Sequence, residues 1–129
     1  MPRAKQLTLS VADRPGMLGE IATALGEKKV NIVGLCAATQ AGGGMIWLVV
    51  DKPAAAKKVF AQHRWQSTEE DVLAVTLSDS PGSLGRFATK LGNAGVNITF
   101  VYAGSAGSAR KLNAYLGVSD LKAALKVRP

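Results

Sequence analysis

Two stretches of this 129-residue sequence carry residue types whose spacing suits ligand chemistry. The first is Asp13-Arg14-Pro15-Gly16-Met17-Leu18, with Asn31-Ile32 downstream; the second is Asp79-Ser80-Pro81-Gly82-Ser83-Leu84, with Asn97-Ile98 downstream. Asp-x-Pro-Gly between an alternating apolar run and a helical one predicts a helix that starts at the turn, with Pro at the first helical position and Gly at the second. A glycine there removes a Cβ beside several unpaired N–H groups, so a small anion such as a carboxylate can approach the helix N-terminus. Asn31 and Asn97 each add an amide with one acceptor and two donors, able to meet an ammonium and a carboxylate together. Turn and amide suit an α-amino acid. The same residues also have a plainer structural reading, in which Asp13, Asp79 or Ser80 caps a strand-to-helix turn and the Asn merely starts a strand.

The elements that must position these groups recur with them. Shifted by 66 positions, residues 7 to 32 match at Leu7, Asp13, Pro15, Gly16, Leu18, Gly19, Ala22, Thr23, Leu25, Gly26, Val30, Asn31 and Ile32, without a gap. A repeat this long is a small domain rather than a solenoid unit. It predicts two modules, residues 1–70 and 71–129. In each, an alternating strand (Leu7, Leu9, Val11; Leu73, Val75, Leu77) leads to a helix. Its apolar face is expected at Leu18, Ile21, Ala22 and Leu25, and at Leu84, Phe87, Ala88 and Leu91. Gly95 suits the left-handed position that ends the second of these helices, whereas the first has Lys29 there.

A second strand to about Thr39, the glycines 42–44 and the apolar run Met45–Val50 predict a hairpin, repeated around residues 104–109. No Gly-Lys-Ser/Thr ending follows the glycines, which argues against a phosphate loop. A further helix is expected from Ala54 to Gln62, anchored by Val59 and Phe60, and another from Ser119 or Asp120 with Leu121 and Leu125 buried. Arg64–Glu69 suffices for a short fourth strand before Asp71 opens the second module. The second module has only Lys126–Pro129 in that place, so its last strand should be missing or shortened and one sheet edge incomplete. Modules of about 60 residues bury little surface alone, and isolated halves should be poorly stable.

Other chemistry finds little support. His63 is the sole histidine and Cys36 the sole cysteine, which excludes a multi-histidine metal site, a thiolate cluster and an internal disulfide. No nucleophile elbow, His-Glu-x-x-His or paired-carboxylate motif occurs, so no catalytic residue, metal or cofactor is expected. The net charge of +7 divides into +3 for residues 1–70 and +4 for 71–129, without a basic tail. That is the pattern of solvated surface, able to attract anionic metabolites or an acidic partner. The longest apolar run, Met45–Val50, is far short of the ~20 residues a membrane span needs. With no signal-peptide core after Met1–Lys5, a cytoplasmic protein without membrane contact is expected.

Strand, Asp-x-Pro-Gly-x-Leu helix start, apolar helix and Val-Asn-Ile strand start resemble the ACT domain, a ligand-sensing module of amino-acid metabolism. The resemblance covers nearly the whole chain as two tandem copies. It implies an α+β protein of two ferredoxin-like βαββαβ modules with antiparallel sheets, paired side by side, holding a small effector, usually an amino acid, at an interface between domains. By resemblance the binding positions are Asp13, Arg14, Pro15, Gly16, Met17 and Leu18 with Asn31 and Ile32, and Asp79, Ser80, Pro81, Gly82, Ser83 and Leu84 with Asn97 and Ile98. Lys29, and Arg14 against Ser80, depart from a uniform pattern, so the two pockets differ chemically. The function expected is non-catalytic regulation by an amino acid, signalled through assembly, as a homodimer, or through a partner metabolic enzyme. The alternative is nucleic-acid binding on an open ferredoxin-like sheet. It suits the net charge, but Leu7–Val11 carries no stacking aromatic and the third strands offer only Trp47 and Tyr115.

Overall fold

The computed structural model describes residues 3–105 and 110–129. Strand, turn and helix follow one another in the repeated order β1 (Arg3–Val11), α1 (Met17–Glu27), β2 (Ile32–Gln40), β3 (Gly43–Val50), α2 (Pro53–Gln62), β4 (Gln66–Ser78), α3 (Ser83–Asn93), β5 (Ile98–Ser105), β6 (Lys111–Val118) and α4 (Leu121–Ala124). Two compact units result: Lys5–Glu70, and Asp71–Pro129 together with the first residues of β1. Both are α+β with antiparallel strands, and each follows the ferredoxin-like order as far as its elements go.

In the first unit β3 lies between β2 and β1, pairing Leu35 with Leu48 and Leu48 with Leu7. The opening residues of β4 flank β1, where Gln6 Nε2 donates to Glu70 at 2.9 Å and Lys5 lies 3.7 Å from Glu69. Arg64–Glu69 therefore serves its own module. The core is Leu7, Leu9, Ile21, Leu25, Leu48 and Phe60, all completely buried. Each such side chain contributes roughly 1.5–3 kcal/mol relative to exposure. The β2–β3 turn is a two-residue hairpin with Ala41 and Gly42 at φ +49° and +80°, as a type I′ turn requires.

In the second unit β6 lies between β5 and β4, over a core of Leu73, Phe87, Leu91, Ala114 and Leu116. The repeat offset is 66 through β5 but 68 from β6 onward: Leu35 faces Leu48 in one unit, and Val101 faces Leu116 in the other. Paired positions across the second hairpin are therefore two residues further apart in sequence than those across the first, 15 for Val101 and Leu116 against 13 for Leu35 and Leu48. Tyr115, not Asn113, thus matches Trp47, and His63 has no counterpart in the chain. After α4, residues 125–129 form no strand. The expected hairpin turn at 104–109 falls mostly on positions outside the described residues.

Three expectations from the sequence are corrected. The short fourth strand and the first strand of the second module are one 13-residue strand, β4, because Gln66–Ser78 contains no glycine or proline to break it. The last helix, α4, spans only four residues, capped by Asp120, which accepts from the Ala123 N–H at 3.1 Å. The buried faces of α1 and α3 are also turned by one position. Met17, Ile21, Ala24 and Leu25, and Ser83, Phe87 and Leu91, are buried, whereas Leu18 and Leu84 are 40% and 37% exposed.

Both long helices end in the same motif. Val30 N–H donates to Leu25 O at 3.0 Å and Lys29 N–H to Gly26 O; Val96 N–H donates to Leu91 O at 2.9 Å and Gly95 N–H to Gly92 O. These six-to-one and five-to-two bonds place Gly95 at φ +77° and force Lys29 to φ +59°. A side chain in this region is strained where glycine is not. Lys29→Gly should therefore stabilise the protein by about 0.5–1 kcal/mol in urea unfolding, and Gly95→Lys should cost a similar amount.

Candidate functional site

The site is built on the turn between β1 and α1 and its repeat between β4 and α3. Pro15 and Pro81 do not begin helices, and Gly16 and Gly82 are not second helical residues, as the sequence suggested. Each Pro-Gly forms the centre of a β-turn, with Met17 N–H donating to Arg14 O at 3.3 Å and Ser83 N–H to Ser80 O at 3.1 Å. Gly16 (φ +87°, ψ −6°) and Gly82 (φ +85°, ψ −9°) hold the left-handed position of a type II turn and double as helix N-caps. Proline presets the first central residue of such a turn, and glycine is needed at the second.

This geometry settles what Asp13 and Asp79 do. Neither helix has a side-chain cap. Asp13 instead accepts from the Thr39 hydroxyl at 3.3 Å and Asp79 from the Ser105 hydroxyl at 2.6 Å, tying each turn to the end of the neighbouring edge strand. Ser80 shares a 3.0 Å bond with Ser78. The N–H groups of Leu18 and Gly19, and of Leu84 and Gly85, have no acceptor among the described residues. Two donors and the positive end of the helix dipole therefore point out of each turn.

Around the first turn lies a cleft of about 290 Å³, lined by Asp13, Arg14, Met17, Leu18, Thr39 and Met45 among others. Its donors come from the helix start and its apolar wall from Met17 and the exposed Leu18. Arg14 Nη2 lies 2.6 Å from Glu20 Oε2, an exposed ion pair across the turn. In the second module Ser83 replaces Met17 and Arg86 replaces Glu20, and Asn113 stands in register with Met45. A Cβ on Gly82 would meet Arg86 Nη1 at 2.7 Å, so the guanidinium lies over the turn.

Asn31 and Asn97 are placed elsewhere. Both are exposed, and the backbone of each bonds to the backbone and side chain of the residue that follows the third strand of its module. Asn31 N–H donates to Asp51 Oδ1 at 2.9 Å while Asp51 N–H donates to Asn31 O at 3.0 Å; Asn97 N–H donates to Ser119 Oγ at 2.9 Å while Ser119 N–H donates to Asn97 O at 2.9 Å. Ile32 and Ile98 are half-buried against their cores. Because Thr39 is at the turn and Asn31 eight residues earlier on the same strand, turn and amide are separated by about 26 Å within one module. The structure does not bring them together there. The amide side chains remain at the strand starts, beside Lys52, whose Nζ donates to Lys29 O at 2.8 Å in the first module.

Reading the residues missed one surface. On the second sheet, away from its helices, Phe100, Tyr102 and Tyr115 form an aromatic cluster, with ring centroids 6.3 and 5.4 Å apart. Alternation along the second strand of that module would have revealed Phe100 and Tyr102 together. His63, expected on the surface, is exposed and stacks on Trp65 at 4.4 Å. Among the described residues no group of three His, Cys, Asp or Glu is placed to hold a metal ion. No helix among them is long and apolar enough to cross a membrane.

Comparison with known proteins agrees with this architecture. Residues 3–113 match the family model of the ACT domain pair. Protein BT0572 from Bacteroides thetaiotaomicron is similar in structure, with a TM-score of 0.90 at 25% identity over 97% of this chain and 85% of that one. The regulatory subunit of aspartate kinase from Thermus thermophilus superimposes with a TM-score of 0.70 at 13% identity, covering 98% of this chain and 89% of its own. The corresponding subunit from Thermus flavus gives 0.66 at 14% identity, over 98% and 90%. At those identities the kinase subunits share the fold. A search of curated proteins finds no match. With 111 of its 129 residues inside the family model, the chain belongs to the ACT domain pair family.

Proposed function

We propose that this protein is a regulatory module that binds an amino acid at its Pro-Gly turns and signals through association with a second copy or with a metabolic enzyme. The observation that carries this reading is the uncapped helix start. Two N–H donors beside a 290 Å³ cleft form a carboxylate-sized receptor, with Asp13 bonded to Thr39 and Glu20 paired with Arg14. The aspartate kinase subunits that share the fold are regulatory by description. No catalytic constellation competes with this reading among the described residues.

The 26 Å between turn and Asn decides how a ligand meets both. The reading we favour joins a turn of one copy to the Asn-Ile strand start of a module in another copy, through side-by-side pairing of edge strands. Those edges are suited to it. On β2, Val33 and Leu35 are 49% and 40% exposed, and on β5, Val101 is 45% exposed. Apolar edge strands of this kind recruit further strands.

A base-stacking surface is the second reading, carried by Phe100, Tyr102 and Tyr115. The neighbouring strand β4 presents Ala74 and Thr76 on that face, so the rings do not continue across the sheet. The cytoplasmic location expected from the sequence is part of the same proposal, since amino-acid enzymes and their effectors meet there.

Calorimetric titration with a panel of amino acids should show saturable binding, weakened unequally by Asn31→Ala and Asn97→Ala; equal, wild-type binding by both variants would remove the Asn residues from the site. Light scattering at micromolar protein should give a dimeric mass, increased in population by the amino acid that binds. A monomer under every condition would exclude signalling through self-assembly. A single-stranded oligonucleotide should produce no saturable, salt-dependent quenching of protein fluorescence, and binding of that kind would favour the stacking surface instead.

A further inference from the structure

Every strand has two hydrogen-bonding sides, and in the second unit β6 takes one side of β4. Asp79 N–H donates to Arg110 O at 3.0 Å, continuing the register that pairs Ser78 with Lys111. Bonded and non-bonded pairs alternate along an antiparallel ladder, so Leu73, Val75 and Leu77 bond to β6, while Ala74, Thr76 and Ser78 aim their N–H and C=O groups away from it. On that outer side lies a groove of about 650 Å³, lined by Ala74, Val75 and Thr76 and by residues 125–129. The segment 125–129 forms its far wall without joining the ladder: no backbone bond runs from it to β4 among the described residues. Leu125 and Val127 pack on the core and Lys90 Nζ donates to Arg128 O at 3.4 Å, which leaves Lys126 and Arg128 exposed at the groove.

We propose that this groove is a docking site for an extended acidic segment of a partner protein, added to β4 as a further strand. The first module shows what fits. Thr8 and Ser10 there stand where the repeat places Ala74 and Thr76, and beside them lie residues 66–68, the opening of β4. That flanking segment continues into acidic residues held by the module: Glu69 lies 3.7 Å from Lys5 and 2.5 Å from Lys57, and Gln6 donates to Glu70 at 2.9 Å. In the second unit the groove carries the cations instead. No carboxylate pairs with Lys126 or Arg128 among the described residues, and residues 71–129 have a net charge of +4. Asp71, further back on β4, is engaged by Arg3 at 3.2 Å. A second copy is a poor match for this charge. Its edge strands β2 and β5 contain no charged residue, and its acidic run Glu69-Glu70-Asp71 already lies within β4. The groove shares no lining residue with the Pro-Gly turns, so the proposal does not depend on amino-acid binding there.

The probe is a synthetic peptide of residues 66–71, acetylated and amidated at its ends, titrated into the full chain and followed in amide NMR spectra without any amino acid. The Ala74, Thr76 and Ser78 resonances should shift saturably, and more than those of Val75 and Leu77, whose N–H groups are engaged by β6. A peptide carrying Glu69→Gln and Glu70→Gln should bind about fivefold more weakly, the effect of two exposed ion pairs. A peptide carrying Thr68→Pro should produce no shifts, because proline breaks a ladder. In the protein, Lys126→Glu combined with Arg128→Glu changes only exposed side chains and should weaken the acidic peptide by about fivefold or more. Absence of shifts at millimolar peptide, shifts confined to β2 and β5, or equal binding of the acidic and neutral peptides would overturn the proposal. Shifts of residues 74–78 that follow protein concentration alone would overturn it as well, by assigning the groove to a second copy.

Discussion

The left-handed backbone of Gly16 and Gly82 is the constraint on which the rest of each module depends. A strand leaving the sheet has to reverse into a helix that packs back over it, and here the reversal is completed in one type II turn. With glycine at the helix N-cap, no side chain is available at the position where Ser, Thr, Asp or Asn would cap. With glycine in that place the forgone cap costs only about a few tenths of a kcal/mol of helix stabilisation. In return, the first turn of the helix keeps its donors. The carboxylate that would have capped it spans to Thr39 or Ser105 instead, and so fixes the turn against the edge strand. The same reversal sets the helix phase, burying Met17 and Ser83 and leaving Leu18 and Leu84 outside.

Duplication preserved that backbone and released the side chains from one another. Leu7, Leu25, Val30 and their partners are kept because each fills a closed core. Positions at the mouth of the turn carry no packing role, so Glu20 and Arg86 can differ in sign without disturbing either helix. Helix ends tolerate less symmetrical solutions. Lys29 and Gly95 make the same Schellman bonds, and the lysine form survives on the strength of the Val30–Leu25 apolar contact that the motif buries.

Much of the fold was legible in the residues. Alternation gave the strands, and the 66-residue repeat gave two modules. What was not legible had physical reasons. The Pro-Gly pair reads as a helix start or as a type II turn preceding one, and only the backbone angle separates them. The strand β4 looked like two because the repeat boundary falls inside it, although no residue of Gln66–Ser78 interrupts a strand. The change of offset from 66 to 68 is hard to see in sequence because the third strands share only two identities, Leu48 with Leu116 and Val50 with Val118, to anchor them; pairing of Leu116 with Leu73 and Val101 reveals it. As to the candidate site, the turns were read from their spacing. The Asn residues were grouped with them by chemistry alone, and spacing along a strand places them at its other end.

That separation bears on how such a module could regulate. A ligand held wholly by one turn would stabilise a single copy and leave association unchanged. A ligand that joins a turn of one copy to an Asn of a second contacts both copies at once. Its binding free energy is then shared with the interface, and mass action makes the associated state more populated as ligand rises. Linkage also runs in reverse, so association raises the affinity for ligand by the same factor.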